Sequence, residues 1–211
     1  MKKTLVILCV SLCVMFSCKP KEDDSAITPQ ANKINGHEYV DLGLPSGLKW
    51  ATCNVGASSP EKYGYYFAWG ETSPKAEYTI ENSITYGEEM NDISGNPQYD
   101  AARANWGGSW RMPRENEMEE LLAYCEWEWT QVKGVNGYKV KSNINSNYIF
   151  LPAAGCRYRS SLDNAGSYGF YWCSTPYNYD GYAYELYFNI DFQRMGNDGP
   201  FIGQSVRPVA E

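Results

Sequence analysis

The chain has 211 residues, with 18 Lys and Arg against 25 Asp and Glu, for a formal net charge of −7. That balance argues against a nucleic-acid binder, because neutralising phosphates takes clustered basic side chains, and it offers no electrostatic pull toward anionic lipid. What stands out instead is the aromatic content of 15%, carried largely by 18 tyrosines and concentrated toward the C-terminus.

In chain order, Lys2 and Lys3 precede an apolar run from Leu5 to Phe16 that ends at Ser17-Cys18. A dozen apolar residues cannot cross a hydrocarbon layer of about 30 Å, for which about 20 are needed, so the run reads as a signal peptide. A small residue before a cysteine resembles a lipobox, which implies cleavage ahead of Cys18 and lipidation of that cysteine. An ordinary signal peptide cut nearby is the alternative, and both readings export the domain. The segment Lys19-Pro20-Lys21-Glu22-Asp23-Asp24 cannot bury surface and reads as a solvated tether. It also resembles the Lys-then-acidic signal that sends Bacteroidota lipoproteins to the cell surface. The expected organisation is a signal peptide over 1–17, lipidated Cys18 with a flexible tether over 18–33, and one folded domain over 34–211. Residues 1–17 hold two of the basic residues and none of the acidic ones, so cleavage moves the net charge from −7 to −9.

Within the domain, Glu38–Leu42 and Leu48–Ala51 read as strands around a Pro45-Ser46-Gly47 turn. A short helix is expected over Tyr99–Ala104, with Asp100 near its start. The clearest helix spans Arg114–Tyr124, where Met118, Leu121, Leu122 and Cys125 recur at the spacing of one buried face. Trp127 and Trp129 follow at alternate positions and therefore share a strand face. Beyond them, Tyr148–Leu151, Gly169–Cys173, Tyr182–Phe188 and Val206–Val209 read as strands between Gly-, Asn- and Ser-rich turns. Helices first and strands after predict an α+β domain with short strands and one main helix.

Cys53, Cys125, Cys156 and Cys173 make an even set in an exported chain and allow three pairings. No Cys-x-x-Cys occurs and His37, expected at the surface near the first strand, is the only histidine, so neither a zinc site nor imidazole acid–base chemistry is predicted.

Several blocks recur in one order: Val40-Asp41-Leu42-Gly43-Leu44-Pro45-Ser46-Gly47-Leu48-Lys49-Trp50-Ala51, Tyr65-Tyr66-Phe67-Ala68-Trp69-Gly70-Glu71, Asn105-Trp106-Gly107-Gly108-Ser109-Trp110-Arg111-Met112-Pro113, Ile149-Phe150-Leu151-Pro152-Ala153-Ala154-Gly155, Gly169-Phe170-Tyr171-Trp172 and Ser205-Val206-Arg207-Pro208-Val209. Together they resemble the Fibrobacter succinogenes major paralogous domain family, abundant in exported lipoproteins of gut Bacteroidota. The resemblance implies a fold similar to C-type lectins and to formylglycine-generating enzymes. It also implies core roles for Trp50, Trp69, Trp106, Trp110 and Trp172, and buried ion-pair or carbonyl contacts for Arg111 and Arg207. Where the family usually has a capping Thr, this chain has Arg114, which predicts loss of a capping box with Glu117. Cys156 and Cys173 stand where the family more often has Tyr and Ser, so they are expected to pair with each other, leaving Cys53 with Cys125.

Residues 158–187 hold eight tyrosines among Ser, Asn, Asp and Gly. Tyrosine offers a rigid face and a hydroxyl at low entropic cost, and aromatic faces stack on the apolar side of sugar rings. Many of these residues also suit half-buried strands; the turn Tyr177–Tyr182 has less of a core to fill. The predicted ligand surface is Tyr177, Asn178, Tyr179, Asp180, Tyr182, Tyr184, Asn189, Asp191, Asn197 and Asp198. The composition of 177–204 also has the flavour of segments rewritten by diversifying retroelements. No carboxylate spacing picks out a hydrolytic pair, no calcium-lectin tripeptide occurs, and exported cysteines that can pair become inert. The expectation is a non-enzymatic binding module at the cell surface, without cofactor or metal, that takes a glycan or a surface protein. A structural or adhesin subunit of a surface assembly is the alternative.

Overall fold

A computed structural model describes residues 32–177 and 181–211; the expected signal peptide, Cys18 and most of the expected tether lie outside them. The domain opens with β1 (Asn32–Ile34), β2 (His37–Asp41) and β3 (Lys49–Ala51), followed by α1 (Ala101–Trp106) and α2 (Glu115–Tyr124). Next come β4 (Cys125–Val132), β5 (Val135–Ser142), β6 (Tyr148–Pro152), β7 (Cys156–Tyr158) and β8 (Ser161–Asp163). Then follow β9 (Gly169–Pro176), β10 (Ala183–Phe188), β11 (Gln193–Asp198) and β12 (Val209–Ala210). Strand outweighs helix, 38% to 11%, so the mixed α+β class holds in a strand-rich form. The first strand begins at Asn32, two residues inside the expected tether.

The strands form four small antiparallel sheets, ordered β1-β2-β3-β12, β11-β10-β9, β4-β5-β6 and β7-β8. In the first of these, the C-terminal strand pairs beside β3, with Val209 opposite Trp50, which joins the two ends of the domain. The expected C-terminal strand Val206–Val209 is shorter than predicted, because Val206–Pro208 instead serve the loops around Ala51 and Val55.

Two cores meet across β9 and β10. One packs the apolar face of α2, Met118 and Leu121, against Val140, Leu151, Tyr171, Leu186 and Phe188. The other gathers Trp69, Trp110, Trp172 and Val206. Alternate residues of β9 face the two cores, Tyr171 and Cys173 one way and Trp172 the other, which is why the strand is apolar nearly throughout. Trp50, Trp69, Trp106, Trp110 and Trp172 are all buried, as expected. A buried indole usually finds a partner for its N–H, and three of these five do, while Trp50 Nε1 has none among the described residues. Trp69 Nε1 donates to the Cys173 carbonyl (2.8 Å), Trp110 to Ile34 (2.8 Å) and Trp172 to Phe67 (2.9 Å). Trp127 and Trp129 both pack edge-on against Tyr138 and Phe188 from one face of β4. His37 is half-buried rather than a plain surface residue, stacked on Trp106 at 3.8 Å.

Arg111 forms a buried two-pronged ion pair with Glu117, both contacts at 2.7 Å. Arg207, fully buried, donates to the carbonyls of Ala51, Thr52 and Phe150 and to Asn54 Oδ1. The capping box of α2 is half retained. Arg114 has no acceptor to offer, but its N–H donates to Glu117 Oε2 at 2.8 Å, and Thr175 Oγ1 on β9 accepts from Glu115 N–H at 3.0 Å. A cap missing from the local sequence is therefore supplied from across the domain.

The expected disulfides are absent: Cys53, Cys125, Cys156 and Cys173 are all free thiols. The topology explains why. Gly155 bridges Gly169, so Cys156 starts beside Phe170 while Cys173 lies three residues further along β9. At about 3.3 Å per residue that is roughly 10 Å of strand, beyond the ~7 Å Cα separation a disulfide tolerates. Cys125 sits beside the turn whose Asn145 and Asn147 hold the Asp41 carbonyl, whereas Cys53 follows Thr52 at the Glu38 end of β2.

Candidate functional site

Two loops distant in sequence form a cleft of about 730 Å³. One is the run 86–92; the other surrounds Pro176, Tyr177, Gly181 and Tyr182. Trp69, itself buried, lines the cleft between them. The volume falls within the range of small-ligand sites.

Glycines bring the two loops together. Gly87 and Gly181 both have positive φ, 78° and 74°, and a Cβ on Gly181 would lie 3.1 Å from the Gly87 backbone nitrogen. A side chain on Gly181 would crowd that approach, and the positive φ at both positions favours glycine. Thr85 Oγ1 donates to the Trp69 carbonyl (2.7 Å) and Ile93 N–H to the Ser174 carbonyl (3.2 Å), anchoring both ends of the first loop. The second is pinned where Tyr177 N–H donates to the Tyr182 carbonyl at 2.8 Å. Tyr86 meets Phe201 edge to face at 5.7 Å, and Tyr177 meets Tyr184 in the same way at 5.0 Å.

The charge at the cleft is negative. Glu88, Glu89 and Asp92 line it, and no Lys, Arg or His does so among the described residues. Asp92 is engaged, accepting from Arg114 Nε (2.7 Å) and Ser94 N–H (2.9 Å), and its carboxyl is held below the ordinary range by those bonds against the opposing effect of burial. Glu88 and Glu89 are exposed and make no side-chain hydrogen bond or ion pair among the described residues.

Of the predicted ligand residues, Tyr177 and Tyr182 line the cleft and Tyr184 supports Tyr177 from the edge of the core. Asn178, Tyr179 and Asp180 lie outside the described residues. The others are not brought to the cleft. Asn189 Oδ1 accepts from the N–H groups of Asp191 (2.8 Å) and Phe192 (3.2 Å), making the turn between β10 and β11, at the far end of β10 from Tyr182. Asn197 is exposed on β11 opposite Tyr184. Asp198 faces inward, where the Gln204 amide donates to both it and Glu185.

Residues 128–209 match a family described as Domain of unknown function (DUF8237). No curated protein and no solved structure matches the chain. The matched segment runs from within β4 to the start of β12, so it includes Tyr177 and Tyr182 but not Tyr86, Glu88 and Glu89 across the cleft. Sequence reasoning missed those three residues and Trp69 as site components. The only local signal was Tyr86-Gly87-Glu88-Glu89, an aromatic and two acids around a glycine, and nothing in its spacing points to Tyr177.

Cysteine chemistry has poor ground here. Burial raises Cys125 to about 11 and Cys156 to about 12, and lifts Cys173 well above the ordinary thiol range, so none of the three is a ready thiolate at neutral pH. Among the described residues, no group of three or more His, Cys, Asp or Glu side chains is arranged to hold a metal ion.

Proposed function

We propose that this chain is an exported lipoprotein, lipidated on Cys18 and displayed at the outer membrane, whose domain binds a glycan without catalysis in the cleft between Tyr86 on one side and Tyr177 and Tyr182 on the other. The observation that carries the reading is the convergence of tyrosines from two distant loops on one open cleft with unengaged carboxylates. Tyrosine faces stack on sugar rings and carboxylates accept from hydroxyls, so this lining suits a carbohydrate better than an apolar ligand. Raised thiols at Cys125, Cys156 and Cys173 weigh against a formylglycine-type cysteine chemistry. A C-type lectin-like fold belongs to the same proposal. Supporting it are the pairing of β12 with β3 at the chain ends, the single longer helix α2, and the placing of the cleft on loops beside β9 and β10.

The test is binding of the lipoprotein, purified in mild detergent, to arrays of plant, host and microbial polysaccharides, beside a Tyr177→Ala/Tyr182→Ala variant. Binding that is lost in the variant while its urea midpoint stays unchanged is the expected result. A folded protein silent on every glycan overturns the reading. Lipidation is checked separately: Cys18→Ala is expected to move the protein from the membrane to the soluble fraction.

A further inference from the structure

The charges around the cleft do not balance. Arg114 reaches one lining residue, Asp92, and its guanidinium is held there at 2.7 Å and lies 3.4 Å from Glu117. Among the described residues, Glu88 and Glu89 have no ion-pair partner on one wall. On the other side, Glu115 and Glu119 of α2 act on Tyr184, whose ring meets Tyr177 at 5.0 Å. Burial and the neighbouring Glu119 both raise the Glu115 carboxyl. The rings of Tyr86, Tyr177 and Tyr182 add the negative faces that attract ammonium groups.

We infer that the cleft selects a cationic glycan, a chain of amino sugars with free ammonium groups, over neutral and anionic sugars. This rests on the glycan reading and adds the charge of the ligand to it. A uronic acid or sulfated chain brings its charge against Glu88 and Glu89 and is repelled. A neutral chain stacks on the tyrosines and donates hydroxyls to the carboxylates but leaves their charge uncompensated. An amino-sugar chain does both, placing rings on the aromatic faces and ammonium groups beside the carboxylates. Because Glu88 and Glu89 are exposed, the preference weakens as salt shortens the reach of the charges.

The experiment compares three oligosaccharides of equal length on the full lipoprotein in detergent: glucosamine, N-acetylglucosamine and galacturonate oligomers. It is run at about pH 6, below the ordinary range of amines and above that of carboxylates. The glucosamine oligomer is expected to bind at least tenfold more tightly than its N-acetylated counterpart, with galacturonate weakest. A Glu88→Gln/Glu89→Gln variant is expected to erase that preference, bringing the glucosamine and N-acetylglucosamine oligomers to equal affinity. Equal or tighter binding of the N-acetylated or galacturonate oligomer, or a preference that survives in the variant, overturns the inference. Neutral binding that disappears in Tyr177→Ala/Tyr182→Ala but shows no charge preference leaves the glycan reading standing and removes only this one. Silence toward all three sugars with binding of a Lys-rich peptide overturns both and turns the cleft toward a protein ligand.

Discussion

Glu185 and Asp198 share one amide donor, the Gln204 side chain, with no basic group in their hydrogen-bonded set. Burial, and secondarily the nearby Asp198, raise Glu185 to about 8, so at neutral pH it is largely protonated in the folded chain. An unfolded Glu ionises near its ordinary value of 4.5, so between about 4.5 and 8 the native state holds more protons than the unfolded state. Stability is therefore greatest below that window and falls as pH rises through it. A Glu185→Gln variant is expected to flatten the slope and to gain on the order of 4 kcal/mol over the wild type at the upper end, read by urea unfolding across the pH range. Arg207 is the opposite case, a buried cation satisfied by neutral acceptors. Its fork reaches three carbonyls and Asn54 Oδ1 at 2.7–3.0 Å, and a lysine cannot span them. Arg207→Lys is expected to cost about 2–4 kcal/mol in the same measurement. Burial of Arg207 in carbonyl contacts matches what was expected of it. Glu185 was anonymous in the sequence, since one acid in an aromatic strand carries no mark of what covers it.

At the scale of elements, α2 was legible because its apolar spacing is local, and Arg114 was legible as a poor cap for the same reason. The rescue by Thr175 was not, because sixty residues separate donor from acceptor. Thr175→Val keeps the strand-forming shape and removes the acceptor, and is expected to cost about 1 kcal/mol. The β4–β5 hairpin was only half visible. Trp127 and Trp129 marked one strand, but the turn is Lys133-Gly134, with φ of 48° and 81°, and a lysine does not announce a left-handed position as Asn would. At Gly137 in β5, an added Cβ would lie 2.3 Å from the Leu151 carbonyl oxygen, a close strand approach that explains the missing side chain.

For the whole molecule, cysteine count and export together argued for two disulfides, yet the fold separates the partners of both expected pairs. Denaturing alkylation without reductant is expected to label all four thiols of the domain; protection of any pair would show that oxidation follows folding by another route. The cleft has the same origin as that error. Its walls come from residues 86–92 on one side and from Pro176, Tyr177, Gly181 and Tyr182 on the other, and the contact of Gly87 with Gly181 that joins them is a long-range fact.

By itself, the sequence determined what depends on nearest neighbours and on side-chain chemistry: the apolar run ending at Ser17-Cys18, the acidic balance, the face of α2, the aromatic strands and the buried tryptophans. Those follow from period and hydrophobicity, which are written within a few residues of each position. The tertiary structure alone decided which tyrosines share a surface, which carboxylates are covered, which thiols stay apart and what caps α2. Each of these is a distance between residues remote in the chain, set by how the small sheets pack around two cores, and one-dimensional spacing does not contain it.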